Sequence, residues 1–312
     1  MTIDHGKIVT AFAVSSLLLL ALFWLIGFQF PSLENVNPRW LLAAIPLYAL
    51  VVALRATALR ALAPDEIGRP LLHWLRLAAR HQALFMLAPA GSGDFGFPLL
   101  AKRYAHLPGA EAVRIIAQYR LRDAVILALA GVGAALMQGL DPPIGAAVLM
   151  LGVLLVLFTD DLAVVLLSLI GRLDFLGPVA CFLEGAIPRT RPALRERLVR
   201  SALALASWAM ACLAMQTVFF AAGLSLSLAG VLTVIVALNV AGALAISVAG
   251  FGVAEAGVAG ALIAIGMSPA EATAAAIVAR PLLLVSMVGG CTAADLAVTL
   301  LSRLSASVAA RP

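Results

Sequence analysis

Charge is what this chain has least of. Of its 312 residues only 12% are charged, 63% are hydrophobic, and mean hydropathy is +1.07. A soluble domain carries about 25% charged residues, so too few polar groups exist to cover a water-facing surface. Lysine is nearly missing: Lys7 and Lys102 stand alone among 21 basic residues, and the rest are arginine. The net charge of +5 contains no basic run interleaved with aromatics, which argues against a nucleic-acid partner. Three cysteines, Cys181, Cys212 and Cys291, lie in or beside apolar stretches; they suggest neither a disulfide framework nor a metal site. The four histidines form no cluster, and no cofactor or metal is expected. A phosphate-binding Gly-x-x-x-x-Gly-Lys-Ser/Thr loop, a Gly-x-Ser-x-Gly elbow and a His-Glu-x-x-His pair are all missing. No ATP motor is therefore expected, and no recognisable catalytic constellation points to an enzyme.

What is present is a series of long apolar stretches. Several exceed the ~18–20 residues needed to span a bilayer core. They lack the alternation of barrel strands, and backbone groups in lipid must bond within their own segment. The expected fold is all-α, a polytopic membrane helix bundle. Residues 8–28 form a first span; the bulky Phe28-Gln29-Phe30-Pro31 that follows is no signal-peptide cleavage site. Further apolar segments cover residues 40–59, 71–87, 95–106, 110–140, 144–170, 201–222, 226–248, 254–265 and 270–301. Residues 172–200, with Arg189, Arg191, Arg195, Arg197 and Arg200, read as a surface loop with an interfacial amphipathic helix.

Loop charge gives the sidedness. Residues 60–80, 102–122 and 189–200 are basic, whereas 141–143, 223–225 and 266–268 hold no basic residue. Two basic segments flank residues 71–106, so that stretch enters and leaves on one side, as a re-entrant hairpin. Residues 226–266 form a second hairpin, entered from the opposite side. The result is about six spans plus two re-entrant helical hairpins, with both termini cytoplasmic, in a bacterial inner membrane. The competing topology makes every apolar stretch a full span.

Pro89–Asp123 organises this plan. Ala90-Gly91-Ser92-Gly93 is echoed by Ala249-Gly250-Phe251-Gly252, Asp94 by Glu255, Pro108-Gly109-Ala110-Glu111 by Pro269-Ala270-Glu271, and Arg120 by Arg280. The repeat units are residues 40–140 and 201–301, joined by a connecting helix and basic segment, 141–200. Each reads span, hairpin, span, and they are inverted, a plan recurrent in transporters. Chance matching in an Ala/Gly-rich chain is the competing account, but Pro, Glu and Arg matches are costlier than Ala or Gly matches.

Ionisable residues at membrane depth are functional candidates, because each costs about 2.5–3.5 kcal/mol on insertion scales. Asp94 and Glu255 stand beside Gly breaks, at helix starts whose free N–H groups suit an anion. Arg280, about ten residues into the last helix, is expected to pair with Glu255 or face an anionic ligand. Arg120 and Asp123, at i and i+3, share a helix face. The candidate substrate-binding set is Gly91, Gly93, Asp94, Arg103, Arg120, Arg122, Asp123, Gly250, Gly252, Glu255 and Arg280. The blander readings are helix capping for the acids and a membrane-surface anchor for Arg120, Arg122 and Asp123.

The run Pro89-Ala-Gly-Ser-Gly-Asp94 to Leu99-Leu100-Ala-Lys-Arg103, followed by Arg122-Asp123, resembles the first signature of the lysylphosphatidylglycerol synthase transmembrane-region, or flippase-like, family. Ala249-Gly-Phe-Gly-Val-Ala-Glu255-Ala-Gly257, then Gly266 and Arg280, looks like the second. Two departures are Asp94, where the family often has Glu, and Ser247-Val248-Ala249, where it often has Pro. The resemblance implies a membrane domain that moves lipids between leaflets, as a stand-alone member without the synthase domain. Its partners would be membrane lipids with anionic or lipid-linked head groups; a homo-oligomer or a lipid-biosynthesis partner stays open. The alternatives are an integral membrane enzyme or accessory subunit in lipid, glycolipid or hopanoid biosynthesis, and a structural or assembly protein.

Overall fold

A computed structural model describes residues 36–64, 68–87, 92–139, 142–170, 184, 187, 192–244 and 252–309. The first expected span, residues 8–28, lies outside them. Among the described residues there are ten main helices and no strand: α1 Pro38–Leu62, α2 Leu71–Leu87, α3 Ser92–Tyr104, α4 Gly109–Met137, α5 Pro142–Leu157, α6 Thr159–Ile170, α7 Leu194–Ala221, α8 Leu228–Leu244, α9 Val253–Ala264 and α10 Pro269–Ala309. The protein is a helical membrane bundle. Helices α1 and α7 and the stretch Pro269–Leu304 of α10 are each long and apolar enough to cross a bilayer.

Local chemistry sets the helix starts. Asn37 caps α1, its Oδ1 accepting from Arg39 N–H at 3.1 Å, and Pro38 occupies the first turn, where a missing N–H costs nothing. Ser268 and Glu271 close a reciprocal box at the start of α10: Ser268 N–H donates to Glu271 Oε2 at 3.2 Å, and Glu271 N–H to Ser268 Oγ at 3.4 Å. Its counterpart α4 starts at Pro108 with no side-chain cap.

Helices α2 and α3 fold back on each other. A Cβ on Gly93 would stand 2.6 Å from Phe85 Cα, so only glycine lets α3 lie this close to α2. Helices α8 and α9 do the same: a Cβ on Gly257 would stand 2.7 Å from Ala241 Cβ. At 17 residues for α2 and α8, and 13 and 12 for α3 and α9, each arm is ~25 Å or shorter at 1.5 Å per residue, less than the ~30 Å hydrocarbon core. These lengths fit re-entrant arms.

The hairpins open toward opposite ends of the bundle. At one end Leu62 of α1, Trp74 of α2, Ala105 and Leu107 after α3, and Ala112 of α4 share a core. Arg114 Nη2 donates to Leu62 O at 3.3 Å, and Arg200 Nε to Ala61 O at 2.9 Å, which brings the start of α7 there too. At the other end Asn37 N–H donates to Ala221 O at 2.9 Å, and Gln216 Nε2 to Leu226 O at 2.9 Å. Ile265, just past α9, packs on Gly230 there, near the start of α8. The basic segments thus gather at one end. Helix α1 packs on α7, and each hairpin packs on the last helix of the other unit: α2 on α10, and α8 on α4.

Two segments depart from the sequence reading. The helix expected over residues 144–170 is bent by 83° at Phe158, between α5 and α6. The cause is the acidic first turn of α6: Asp160 pairs with Arg122 and Asp161 with Arg197, which draws this turn back against α4 and α7. Arg195, Arg197 and Arg200, expected in an interfacial segment, belong to the first two turns of α7 itself.

Candidate functional site

The hairpin's return helix in each unit starts at a Gly break and carries its acid at the third residue. Asp94 holds that place in α3 and Glu255 in α9. The following long helix carries its arginine at the twelfth residue, Arg120 in α4 and Arg280 in α10. The fold brings each acid to its arginine.

In the first unit the pairing is two-pronged. Arg120 Nε lies 2.9 Å from both carboxylate oxygens of Asp94, and Nη2 lies 2.8 Å from Oδ1. His81 Nε2, on α2, is 3.1 Å from Asp94 Oδ1. Arg120 Nη1 donates to Asp123 Oδ2 at 3.3 Å, one turn on, and Trp208 Nε1 of α7 donates to Asp123 Oδ1 at 2.7 Å. The Arg120 guanidinium also lies over the Phe85 ring, 4.2 Å from its centroid. Two carboxylates, Asp94 and Asp123, face one guanidinium, and four helices converge on the cluster.

In the second unit Arg280 Nε stands 3.7 Å from Glu255 Oε1, with both side chains buried. Glu255 is engaged from the other side: its Oε2 accepts the Gly252 N–H at 2.6 Å. Gly252 has φ +86°, a conformation suited to glycine, so the backbone turn that aims this N–H at the acid depends on the residue type. The acid therefore caps its helix and faces the arginine at once.

Of the sequence-derived set, Asp94, Arg120 and Asp123 come together with Gly93 beside them, and Gly252, Glu255 and Arg280 form the second group. Gly91 and Gly250 lie outside the described residues. Arg122 is not in the first group. Two residues past Arg120 it faces another way, and its Nη2 donates to Asp160 Oδ1 at 2.9 Å, with both side chains 3% exposed. Arg103 lies near the end of α3 over the Tyr104 ring, 5.5 Å from its centroid, away from the pairs. Sequence reasoning missed His81, Gln82, Trp208 and Arg55 as participants. A histidine and an arginine inside apolar stretches carried a signal; Trp208 carried none, because an indole on a membrane helix is ordinary. No group of three or more His, Cys, Asp or Glu that could hold a metal occurs among the described residues.

Among the described residues, ten helices, two opposed hairpins and a charge pair behind each define a polytopic helical membrane bundle. Residues 8–290 match the Lysylphosphatidylglycerol synthase TM region family, and the chain belongs to it. No curated protein and no solved structure matches the chain.

Proposed function

We propose that the protein moves an anionic or lipid-linked head group between membrane leaflets, with the two hairpins as the translocation site. The observation that carries this reading is the repeated acid–arginine pair at the third and twelfth helix positions. An arginine held by a carboxylate is neutralised at membrane depth, which lowers the cost of keeping it there. A phosphate offers the same bidentate acceptor geometry as a carboxylate. A head-group phosphate would therefore displace the acid from Arg120 or Arg280, and the acid would return when it leaves. The displaced carboxylate takes up a proton while the head group is bound and gives it back on release, so the site is neutral in both states. By the positive-inside rule the basic end faces the cytoplasm, so the hairpins are entered from opposite leaflets.

The test is a leaflet-resolved lipid assay in proteoliposomes. Glu255→Gln and Arg280→Ala proteins, folded and reconstituted like the parent, are expected to lose most of the lipid movement. Unchanged rates in both would remove the pairs from the mechanism.

A further inference from the structure

The His81 ring is buried on α2 and set edge-on to Phe97, with centroids 5.0 Å apart. Its Nε2 lies 3.1 Å from Asp94 Oδ1. Asp94 is an ionised acceptor gripped by Arg120, so Nε2 carries the hydrogen and Nδ1 is the atom that can take a second. The charged groups around the ring come from three other helices: Asp94 of α3, Arg120 and Asp123 of α4, and Arg55 of α1. With His81 neutral, these two carboxylates match the two guanidiniums. On the α10 side Asp295 is held by Arg76 and Arg80, and Cys291 adds a thiol to the shared core.

A cavity with room for one water is lined by His81, Gln82, Tyr119, Arg55 and Arg120. Arg55 Nε and the Tyr119 hydroxyl are buried without protein partners, which supplies the polar contacts a buried water needs. We propose that the His81–Asp94 pair is the proton-binding site of the first hairpin, loaded through this water when an anionic head group takes Arg120. Phosphate oxygens replace Asp94 at Arg120 Nε and Nη2. A proton enters at His81 Nδ1, and the imidazolium keeps Asp94 as its ion pair through Nε2–H. One negative charge and one proton arrive together and leave together, so each raises the affinity of the other. The proposal rests on the head-group reading and adds a co-substrate to it, the proton.

The probe is dihexanoyl phosphatidylglycerol, a soluble lipid with a single phosphodiester charge, and the readout is ring-nitrogen NMR of full-length protein with labelled histidine. His5→Gln, His73→Gln and His106→Asn together leave His81 as the only histidine. At a pH where the free protein shows the neutral Nε2–H ring, saturation with the probe is expected to convert His81 to imidazolium. Probe affinity should rise as pH falls, by up to about tenfold per pH unit. His81→Gln keeps a donor for Asp94 but cannot take the proton, and it should flatten this profile. A ring that stays neutral at saturation, or an unchanged profile in folded His81→Gln, would overturn the proton site and leave head-group binding intact. No binding of the probe at any pH would overturn the head-group reading, and the proton site would fall with it. The spectra need no change at His81, so they decide the case even if His81→Gln does not fold.

Discussion

Asp94 grips Arg120 through both carboxylate oxygens at 2.8–2.9 Å, whereas Glu255 stands 3.7 Å from Arg280. The positions are equivalent and the chemistry is shared, yet the surroundings differ. Around Arg120 the bundle has added His81, Asp123, Trp208 and the Phe85 ring. Around Glu255 the second hold on the acid is a backbone N–H from its own helix start. One half-site is fixed by several helices; the other is set by its own hairpin. The Glu255–Arg280 contact is the longer of the two.

Removing the shared arginine is the most severe way to break the comparison. Arg120→Met leaves Asp123 buried with one donor fewer and frees Asp94 from its bidentate partner. Stripping one member from a buried pair costs about 3–5 kcal/mol, so a large drop in Tm is expected. Arg280→Met should cost clearly less, and a Tm scan of the two in the same detergent checks the ranking. An equal drop would mean that the shorter contacts around Arg120 add nothing.

Arg122 supplies the control for that result. Its pair with Asp160 is at least as buried as the hairpin pairs but lies outside them. Arg122→Met is expected to destabilise by a similar ~3–5 kcal/mol, while Arg122→Met/Asp160→Leu should regain most of the loss, because an apolar replacement for a buried pair is often neutral or better. The double variant should also keep lipid movement in proteoliposomes. Loss of movement in a stable double variant would return Arg122 to the site.

The Trp208 contact tests how the network is supported. Trp208→Phe keeps an aromatic ring, though a smaller one, and removes the donor to Asp123 Oδ1, a bond to a charged group worth about 1.5–3 kcal/mol. No equivalent indole reaches Glu255 in the described residues. The same stability scan should therefore show a cost here, with lipid movement slowed rather than abolished.

Much of this was legible in the sequence, and the reasons are physical. Low charge and long apolar stretches dictate helices in lipid. Loop arginines mark one end of the bundle, and the echo of Asp94 and Arg120 in Glu255 and Arg280 marks the repeat. Those signals depend on residue identity and spacing along the chain. What was not legible depends on azimuth and on neighbours from distant segments. Arg120 and Arg122 read alike in sequence, but two residues on a helix separate their faces and send them to different partners. The break at Phe158 was hidden because residues 144–170 are apolar enough for one continuous span; Asp160 and Asp161 bend it only because Arg122 and Arg197 stand where they do. Arg55 sits inside a recognisable span, and its contacts with Gln82 and Trp208 come from two other helices.

A further difference separates the places where each hairpin meets the last helix of the opposite unit. On the α2–α10 side Arg76 Nε and Arg80 Nη2 reach Asp295 at 3.1 and 2.9 Å, and Arg76 Nη2 donates to Thr299 at 3.0 Å. On the α8–α4 side Gln138 Nε2 donates to Thr233 at 3.3 Å, and the remaining contact is apolar, as where Gly131 faces Val236. The ionic side is partly exposed: the Arg80 side chain is 42% accessible and that of Asp295 28%. Solvent screening keeps exposed pairs near ~0.2–1 kcal/mol, so Asp295→Asn is expected to shift Tm only slightly. Its effect should instead be on opening. With the charge removed, α2 is tied to α10 mainly by packing, as α8 is to α4. A cysteine placed at Ala79, buried on α2, is then expected to react faster with a water-soluble maleimide than in the Asp295 background. An unchanged labelling rate, with the small Tm shift, would mean that packing alone holds the first hairpin and that the two crossings are mechanically alike despite their different chemistry.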